Sequence, residues 1–273
     1  MANIANILTI AGSDSSGGAG VQADIKAISA NGAYAASVIS ALTAQNTKGV
    51  QAVASVDVGL IRAQIDAVMD DLTIDAIKIG MLGQDHIIAC VAQAMEYWQK
   101  QQEKRIPIIL DPVMVAKSGD MLLEPSAVAS LKTNLLPLAN LITPNLPEAA
   151  TLCDLPIPTH QTEMEAMASS LRKLGAKAIL LKGGHLQSRT SPDLLIDDER
   201  QIWLHGARIK AKNTHGTGCT LSASIATYMG KGYALLEAVE AAKAYLSKAL
   251  TSADALNIGQ GIGPVDHFGL AKE

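Results

Sequence analysis

Short apolar segments alternate with amphipathic helical patterns along most of the chain. Four of the apolar segments predict buried strands, at residues 6–10, 106–110, 141–143 and 178–181. Elsewhere apolar residues recur every three or four positions, as in Val21, Ile25 and Ile28 and in Ile88, Val91, Met95 and Trp98. Strands that alternate with helices in this way form mainly parallel sheets with helices on both faces. The pattern therefore predicts an α/β fold.

Residues typical of helix ends divide the pattern further. Gly32 follows the first helical pattern at the place where glycine commonly ends a helix. Thr162 and Glu165 have the spacing of a capping box, which predicts the start of a helix that ends at Gly175.

The remaining segments complete the predicted architecture. Residues 193–196 and 202–204 flank a charged turn and predict a hairpin, and two alanine-rich helices are expected at about 217–230 and 234–252. The segment 33–57, rich in Ser, Thr, Ala and Val, is expected to form a small antiparallel extension or lid strands.

Composition supports one domain and excludes several classes of protein. The chain has 273 residues, of which 48% are hydrophobic and 18% charged, so it can bury a large core and is not disordered. We expect a single domain over residues 1–273. No apolar stretch is long enough to span a bilayer, and the N-terminus lacks a basic region before an apolar one, so a cytoplasmic protein without membrane contact is expected. The net charge is −4 without basic clusters, so no nucleic-acid partner is expected.

Cysteine and histidine spacing argues against structural metal or disulfide sites. Cys90, Cys153 and Cys219 are odd in number and lie far apart, which fits neither a disulfide framework nor CxxC metal ligands. The six histidines show no HxxxH spacing, so a zinc site has no support.

The first glycine-rich turn, residues 12–20, follows the first predicted strand and precedes a helix. Gly12 and Gly17 have the spacing of a phosphate-binding P-loop, but Gly18 stands where that motif requires lysine, and GxGxxG is absent. A P-loop or dinucleotide site is therefore not expected. A tight turn for close packing and a substrate-binding turn both remain open.

The second glycine-rich turn, residues 213–220, directly precedes an alanine-rich helix. Free N–H groups of Gly216, Thr217 and Gly218 at a helix N-terminus predict an anion hole for a transferring phosphoryl group. Cys219 lies in the first turn of that helix, where the helix dipole is expected to lower the thiol pKa and favour the thiolate. The alternative, a buried small residue, stays equally open.

Charged residues follow three predicted strands. Asp111 comes directly after one strand, Glu148 opens a helix after another, and Lys182 follows the strand at 178–181. Carboxylates at one sheet rim are suitable magnesium ligands, and a lysine there can reach phosphate oxygens. The alternatives are an ordinary helix-start charge for Glu148 and a solvated lysine for Lys182.

Seven stretches of the chain resemble one known family. They are LTIAGSDSSGGAGVQADIK (8–26), SALTAQNTKGVQ (40–51), IKIGML (77–82), LDPVMVAKSG (110–119), LITPNLPEA (141–149), LLKGGH (180–185) and KNTHGTGCTLSA (212–223). In this order they span nearly the whole chain and resemble ribokinase-fold vitamin kinases, most closely bacterial hydroxymethylpyrimidine/phosphomethylpyrimidine kinases. The resemblance implies a ribokinase-like fold, a homodimer, and ATP- and Mg²⁺-dependent phosphorylation of 4-amino-5-hydroxymethyl-2-methylpyrimidine to its monophosphate and then its diphosphate in thiamine biosynthesis.

The resemblance also assigns residues to the pyrimidine. It implies that Gln45 and the turn at Gly12 hydrogen-bond the pyrimidine, with Asp24 nearby and Met81 and Val113 packed on the ring. A carboxamide suits this role, because it offers a donor and an acceptor to an aminopyrimidine edge.

The phosphate-handling residues follow in the same way. By resemblance, Asn145 and Glu148 order magnesium and phosphates, Lys182 contacts phosphate, and 216–219 form the anion hole. Cys219 stands where ribokinase-fold sugar kinases have an Asp base, which implies that it accepts or orients the proton of the attacking hydroxyl. The polar segment 114–123 is expected to act as a lid.

Two other functions remain as alternatives. A pyridoxal kinase of the same fold performs the same class of reaction but stops after one phosphoryl transfer. A non-catalytic pyrimidine-binding protein is expected to have lost its phosphate-handling residues, whereas Glu148, Lys182 and the 216–219 turn are present.

Overall fold

The computed structural model describes residues 4–115, 119, 122–186 and 190–270. The strands are β1 (Asn6–Ala11), β2 (Tyr34–Ile39), β3 (Ala41–Asn46), β4 (Gly49–Ser55), β5 (Ala76–Ile79), β6 (Ile108–Leu110), β7 (Leu141–Ile142), β8 (Ile179–Leu181), β9 (Asp193–Ile196) and β10 (Gln201–Leu204). The helices are α1 (Gly20–Ala30), α2 (Val58–Asp71), α3 (Asp85–Gln101), α4 (Pro125–Ser130), α5 (Leu146–Cys153), α6 (Gln161–Arg172), α7 (Thr217–Gly230) and α8 (Leu235–Thr251).

Eight strands form the central sheet, in the order β10-β9-β8-β7-β6-β5-β1-β2. Neighbouring strands pair in parallel along β8-β7-β6-β5-β1-β2. The strands β9 and β10 extend the sheet with antiparallel pairings. The predicted mainly parallel sheet and the predicted hairpin at 193–204 are therefore confirmed.

Alternate residues of the central strands enter two separate cores, one on each face of the sheet. In β6, Ile108 and Leu110 pack into the core under α2 to α6, and Ile109 packs into the core under α1, α7 and α8. This period of two places helices on both faces, as predicted. None of the described helices is long and apolar enough to cross a membrane.

The segment 33–57 divides into two parts, which corrects the prediction that all of it lies outside the sheet. Tyr34–Ile39 is the parallel edge strand β2, because Ala36 and Val38 are buried in the core below it. Only β3 and β4 form the separate antiparallel hairpin.

The predicted capping box at Thr162 and Glu165 is wrong. Helix α6 begins at Gln161, and it is Glu163 that accepts hydrogen bonds from the backbone N–H and hydroxyl of Thr159. Glu165 instead accepts a hydrogen bond from the Trp203 indole at 3.1 Å, so its carboxylate is used in packing α6 against β10.

Candidate active site

A cavity of about 1120 Å³ opens at the carboxyl ends of the parallel strands. Residues that follow successive strands line it, including Gly12 after β1, Met81 after β5, Asp111 after β6, Asn145 after β7 and Lys182 after β8. In open α/β sheets, ligands bind at this rim. The fold therefore brings together most of the residues singled out from the sequence.

Asp111 and Lys182 form an ion pair at the centre of the cavity. Lys182 Nζ lies 3.0 Å from Asp111 Oδ1, and the Thr143 hydroxyl donates to the same oxygen at 2.9 Å. Burial by itself would raise the pKa of Asp111, but the ammonium groups of Lys182 and Lys78 outweigh it and lower that pKa. Lys182 is thus a half-buried, ion-paired cation and not the solvated lysine of the alternative.

Glu148 caps helix α5 and also faces the cavity. Its carboxylate accepts the Asn145 N–H at 2.8 Å, and the Asn145 side chain accepts the Glu148 N–H at 2.9 Å. Burial raises the pKa of Glu148 to about 7, partly offset by Lys182 and reinforced by the negative charge of Asp111. The helix-start role and the cavity role therefore coexist in one residue.

Asp111 and Glu148 fit a magnesium ion by their chemistry. Both are buried carboxylates whose negative charges oppose each other, and a cation between them and a phosphate would relieve that repulsion. Mg²⁺ commonly binds one or two carboxylates together with substrate phosphates and water.

The second glycine-rich turn places the N-terminus of α7 against the ion pair. Gly216 has a φ of +77°, and a Cβ there would lie 1.8 Å from the carbonyl oxygen of Gly18, so only glycine fits. A Cβ at Gly218 would lie 3.4 Å from both Asp111 Oδ2 and Lys182 Nζ. The first N–H groups of a helix have no partner within the helix. The N–H of Thr217, one of the three predicted donors, already donates to the Thr214 carbonyl at 3.4 Å. The anion hole beside Lys182 stays a prediction.

Cys219 lines the cavity, but its surroundings correct the prediction of a lowered thiol pKa. Burial raises the pKa of the thiol to about 11, and the nearby ammonium of Lys78 offsets only part of that effect. Asp24 and Asp111 disfavour the thiolate further. At neutral pH the residue is a thiol.

Asp24 lies behind the cavity wall, which corrects its assignment to the pyrimidine. Its Oδ2 lies 2.8 Å from Lys78 Nζ, and the side chains of both residues are fully buried. Thr9 donates to the same oxygen at 2.6 Å. Lys78, which the sequence analysis missed, lines the cavity instead. Burial by itself would lower the pKa of Lys78, but the Asp24 carboxylate outweighs it and raises that pKa.

The other residues assigned to the pyrimidine also reach the cavity. Gln45, Met81 and Val113 all line it. Gly12 contributes space, because a Cβ there would lie 2.3 Å from the Met81 methyl group. Its N–H donates to Met81 and its carbonyl accepts from Val21, so its backbone groups are already used within the protein.

Asp14 fills the first glycine-rich turn. Its carboxylate accepts N–H groups from Ser16, Gly18 and Ala19 at 2.9, 3.1 and 2.8 Å, and it lies 2.8 Å from His215 Nε2. Burial would raise the pKa of Asp14, but these hydrogen bonds, above all the one from His215, lower it to about 2. The turn therefore binds its own anion, which agrees with the absence of a P-loop motif.

A group of apolar side chains that also lines the cavity was not predicted. The group consists of Leu204, Ile209, Leu221, Leu246 and Leu250, from β10, the following loop, α7 and α8. The residues come from distant parts of the chain and share no motif, so only the folded structure shows that they meet.

The predicted lid lies partly outside the residues that the structure describes. Within the segment 114–123, residues 116–118, 120 and 121 lie outside the described residues. The N–H groups of Leu122 and Leu123 donate to the carbonyl of Met114, at 2.9 and 3.1 Å. The lid stays a prediction.

Known proteins share both the sequence and this architecture. A family model described as phosphomethylpyrimidine kinase matches residues 14–266. The chain is 51% identical over 261 residues to a hydroxymethylpyrimidine/phosphomethylpyrimidine kinase of Rhizobium meliloti, with 96% of each chain covered. A solved phosphomethylpyrimidine kinase of Clostridium difficile is 41% identical with a TM-score of 0.77, covering 90% of this chain and 99% of that one. An ADP complex of Bacillus subtilis pyridoxal kinase is 34% identical with a TM-score of 0.87, covering 97% and 98%.

Proposed function

The chain belongs to the family of hydroxymethylpyrimidine/phosphomethylpyrimidine kinases, and from that premise we propose how its cavity divides between the two reactants. The enzyme phosphorylates hydroxymethylpyrimidine and then phosphomethylpyrimidine in thiamine biosynthesis, with ATP as phosphoryl donor. The pyrimidine binds beside Gln45 and ATP beside the leucines of α7 and α8. The observation that supports this division is the close approach of Asp111, Lys182 and Gly218 inside the one cavity that both groups line.

At the pyrimidine end, Gln45 pairs with the aminopyrimidine edge and Met81 and Val113 pack on the ring. All three side chains line the cavity. At the other end, the leucines of α7 and α8 cover the adenine, whose flat faces suit an apolar slot.

Between these ends the protein stabilises the transferring phosphoryl group. Lys182 and the N–H groups at the start of α7 face the same space, where they offset the charge that develops on the phosphoryl oxygens. Asp111, Glu148 and Asn145 would hold Mg²⁺ and order the phosphates. When bound, Mg²⁺ neutralises phosphate charge and so favours attack by the acceptor oxygen.

Cys219 orients the attacking hydroxyl. A thiol whose pKa is about 11 is protonated at neutral pH, so it acts as a hydrogen-bonding group and not as a ready base. The second transfer needs even less help, because a substrate phosphate with a second pKa of about 6 is already ionised at pH 7.

The number of phosphoryl transfers distinguishes the pyrimidine kinase, which makes two, from a pyridoxal kinase, which makes one. Similarity to a pyridoxal kinase structure favours pyridoxal phosphorylation as the second candidate activity. The family membership does not support a non-catalytic pyrimidine-binding protein.

A phosphorus NMR time course with ATP, Mg²⁺ and hydroxymethylpyrimidine tests the proposal. We expect the monophosphate first and then the diphosphate, and slower or no phosphorylation of pyridoxal in a parallel sample. Monophosphate alone, together with rapid pyridoxal phosphorylation, would replace the pyrimidine kinase with the pyridoxal kinase.

The homodimer, the cytoplasmic location and the single domain over residues 1–273 stay predictions. Light scattering after size-exclusion chromatography tests the dimer, for which we expect twice the 28.5 kDa chain mass.

A further inference from the structure

We propose that Asp14 and His215 are positioning residues that fix the Gln45 carboxamide with its carbonyl oxygen towards His215, and so decide which way round the pyrimidine binds. The inference rests on the proposed assignment of Gln45 to the pyrimidine. It adds two residues that the kinase reaction does not otherwise use.

The first step concerns the proton on His215. Its Nε2 lies 2.8 Å from Asp14 Oδ2. Asp14 is 2% exposed and accepts three backbone N–H groups of its own turn, so it is a carboxylate and offers only lone pairs. Nε2 of His215 must therefore carry the hydrogen and donate it to Asp14.

The second step concerns the Gln45 amide group, which contacts the same ring nitrogen. As placed, Gln45 Nε2 lies 3.3 Å from His215 Nε2, which sets two donors against each other. A half-turn of the carboxamide exchanges its nitrogen and oxygen at almost no steric cost. The Gln45 oxygen then accepts a second, bifurcated hydrogen bond from the ring Nε2–H of His215.

The other end of the amide leads to the same orientation independently. As placed, Thr43 Oγ1 lies 3.3 Å from Gln45 Oε1. The single hydrogen of the Thr43 hydroxyl is donated to the Ser13 carbonyl at 2.8 Å. The Thr43 hydroxyl can therefore only accept from Gln45. It requires the NH₂ group on its side, which again leaves the carbonyl oxygen facing His215.

The imidazole ring is itself held in place. A Cβ at Gly18 would lie 2.4 Å from His215 Cδ2, so the ring packs directly on the glycine backbone. The backbone N–H of His215 donates to the Gly263 carbonyl at 3.0 Å, and the residue is 7% exposed. Gly18 of the first turn thus has a role: it makes room for the ring that orients Gln45.

This orientation gives the site a direction. One lone pair remains on Gln45 Oε1, on the His215 side, and one hydrogen remains on Nε2, on the Thr43 side. In 4-amino-5-hydroxymethyl-2-methylpyrimidine, the amino group is adjacent to a ring nitrogen. We expect the amino group to donate to Oε1 and the ring nitrogen to accept from Nε2. A ring without that amino group leaves Oε1 without a donor.

Steady-state kinetics with two substrates tests the inference. The substrates are the natural pyrimidine and its analogue without the 4-amino group, each with ATP and Mg²⁺. Two matched variants are compared: His215→Asn, which is too short to reach Gln45, and His215→Gln, whose amide nitrogen can take the place of Nε2.

For His215→Asn we expect the KM of the natural pyrimidine to rise about tenfold, because the loss of one hydrogen bond to substrate changes binding by about that factor. The KM of the analogue rises less, because the analogue keeps only the contact of its ring nitrogen with Nε2, and the KM of ATP stays unchanged. His215→Gln restores most of the natural KM. Gly18→Ala, which moves the ring without changing its chemistry, gives the same selective increase and serves if His215→Asn does not fold.

Two results would overturn the inference. An equal rise of KM for both pyrimidines would show that His215 only supports the fold, and an unchanged KM would show that it does not position Gln45. Gln45→Ala separates this inference from its premise: a KM that Gln45→Ala does not change would remove Gln45 itself from the pyrimidine site.

Discussion

The two glycine-rich turns, 12–20 and 213–220, both lead into a helix, yet their backbone N–H groups are used differently. In the first turn, the Asp14 carboxylate accepts the N–H groups of Ser16, Gly18 and Ala19. In the second, Gly218 faces Lys182 across a gap that a single methyl group would fill. This difference is the reason we propose the phosphate site at the second turn and not at the first.

The sharpest way to break this comparison is the same substitution in each turn. Gly218→Ala places a methyl group 3.4 Å from Lys182 Nζ, an ordinary contact distance, in the space we assign to the phosphoryl group. We expect kcat to fall about 100-fold, the scale of losing an oxyanion-hole donor, with little change in the free energy of unfolding.

Gly17→Ala is the matched control in the first turn. Gly17 has a φ of +80°, so alanine there costs about 1 kcal/mol of folding free energy and should leave kcat unchanged. Kinetics and urea unfolding of both variants check the pair. A similar loss of kcat in both would mean that both turns serve the reaction.

Asp14→Asn removes the internal anion of the first turn. The folded-state pKa of Asp14 is about 2, below the ordinary value of 3.8, so its stabilisation is present above pH 3.8 and is lost as pH falls through 2. We expect the variant to be about 2 kcal/mol less stable at pH 7 and about 1 kcal/mol less stable at pH 3. Urea unfolding at both pH values measures this, and a difference that does not shrink in acid would contradict it.

Cys219→Ser sharpens the comparison within the second turn. Because a hydroxyl can replace a thiol that only orients the substrate, we expect the first phosphorylation to slow by less than about tenfold. A thiolate base predicts a larger loss, and also a wild-type rate that rises about tenfold per pH unit between pH 7 and 10, since the thiol pKa is about 11. The pH profile of the first transfer decides between them.

Lys26→Met should have the smallest effect. Lys26 Nζ donates to the Gly17 carbonyl at 2.7 Å on the outside of the first turn. Losing one partly exposed hydrogen bond costs about 1 kcal/mol of stability or less and should leave both KM values unchanged. A changed KM for the pyrimidine would show that the outer side of this turn also contributes to binding.

Local sequence predicted most elements near the site because their signals are local. Gly32 ends the first helix with a φ of +76°, and the two final helices were placed within a residue or two of α7 and α8. Helix α2 was missed although Ile61, Ile65 and Met69 recur at helical spacing and are buried. The start of α2 carries a signal as well, since the Asp57 side chain caps it by accepting the Leu60 N–H at 3.2 Å, whereas no glycine or asparagine follows its end.

Site residues that directly follow strands could be predicted from the sequence. Ion pairs between residues far apart in the sequence could not. Asp111, Lys182 and Gly218 meet because parallel strands end at one rim. Asp24 and Lys78 are 54 residues apart, and nothing local shows that they pair or that Lys78 faces the cavity while Asp24 does not. Burial likewise reversed the thiol pKa expected for Cys219, because the helix dipole was the only influence that the sequence revealed.

The contacts around Gln45 also determine when the site can form during synthesis. His215 is 201 residues from Asp14 and 170 from Gln45, and Gly261 is 214 residues from Thr47, to which it donates. At about 5–20 residues per second, His215 is made roughly 10 to 40 seconds after Asp14. During synthesis the first turn therefore lacks its histidine partner until His215 has been added. The pyrimidine end of the cavity is among the last parts of the protein to form.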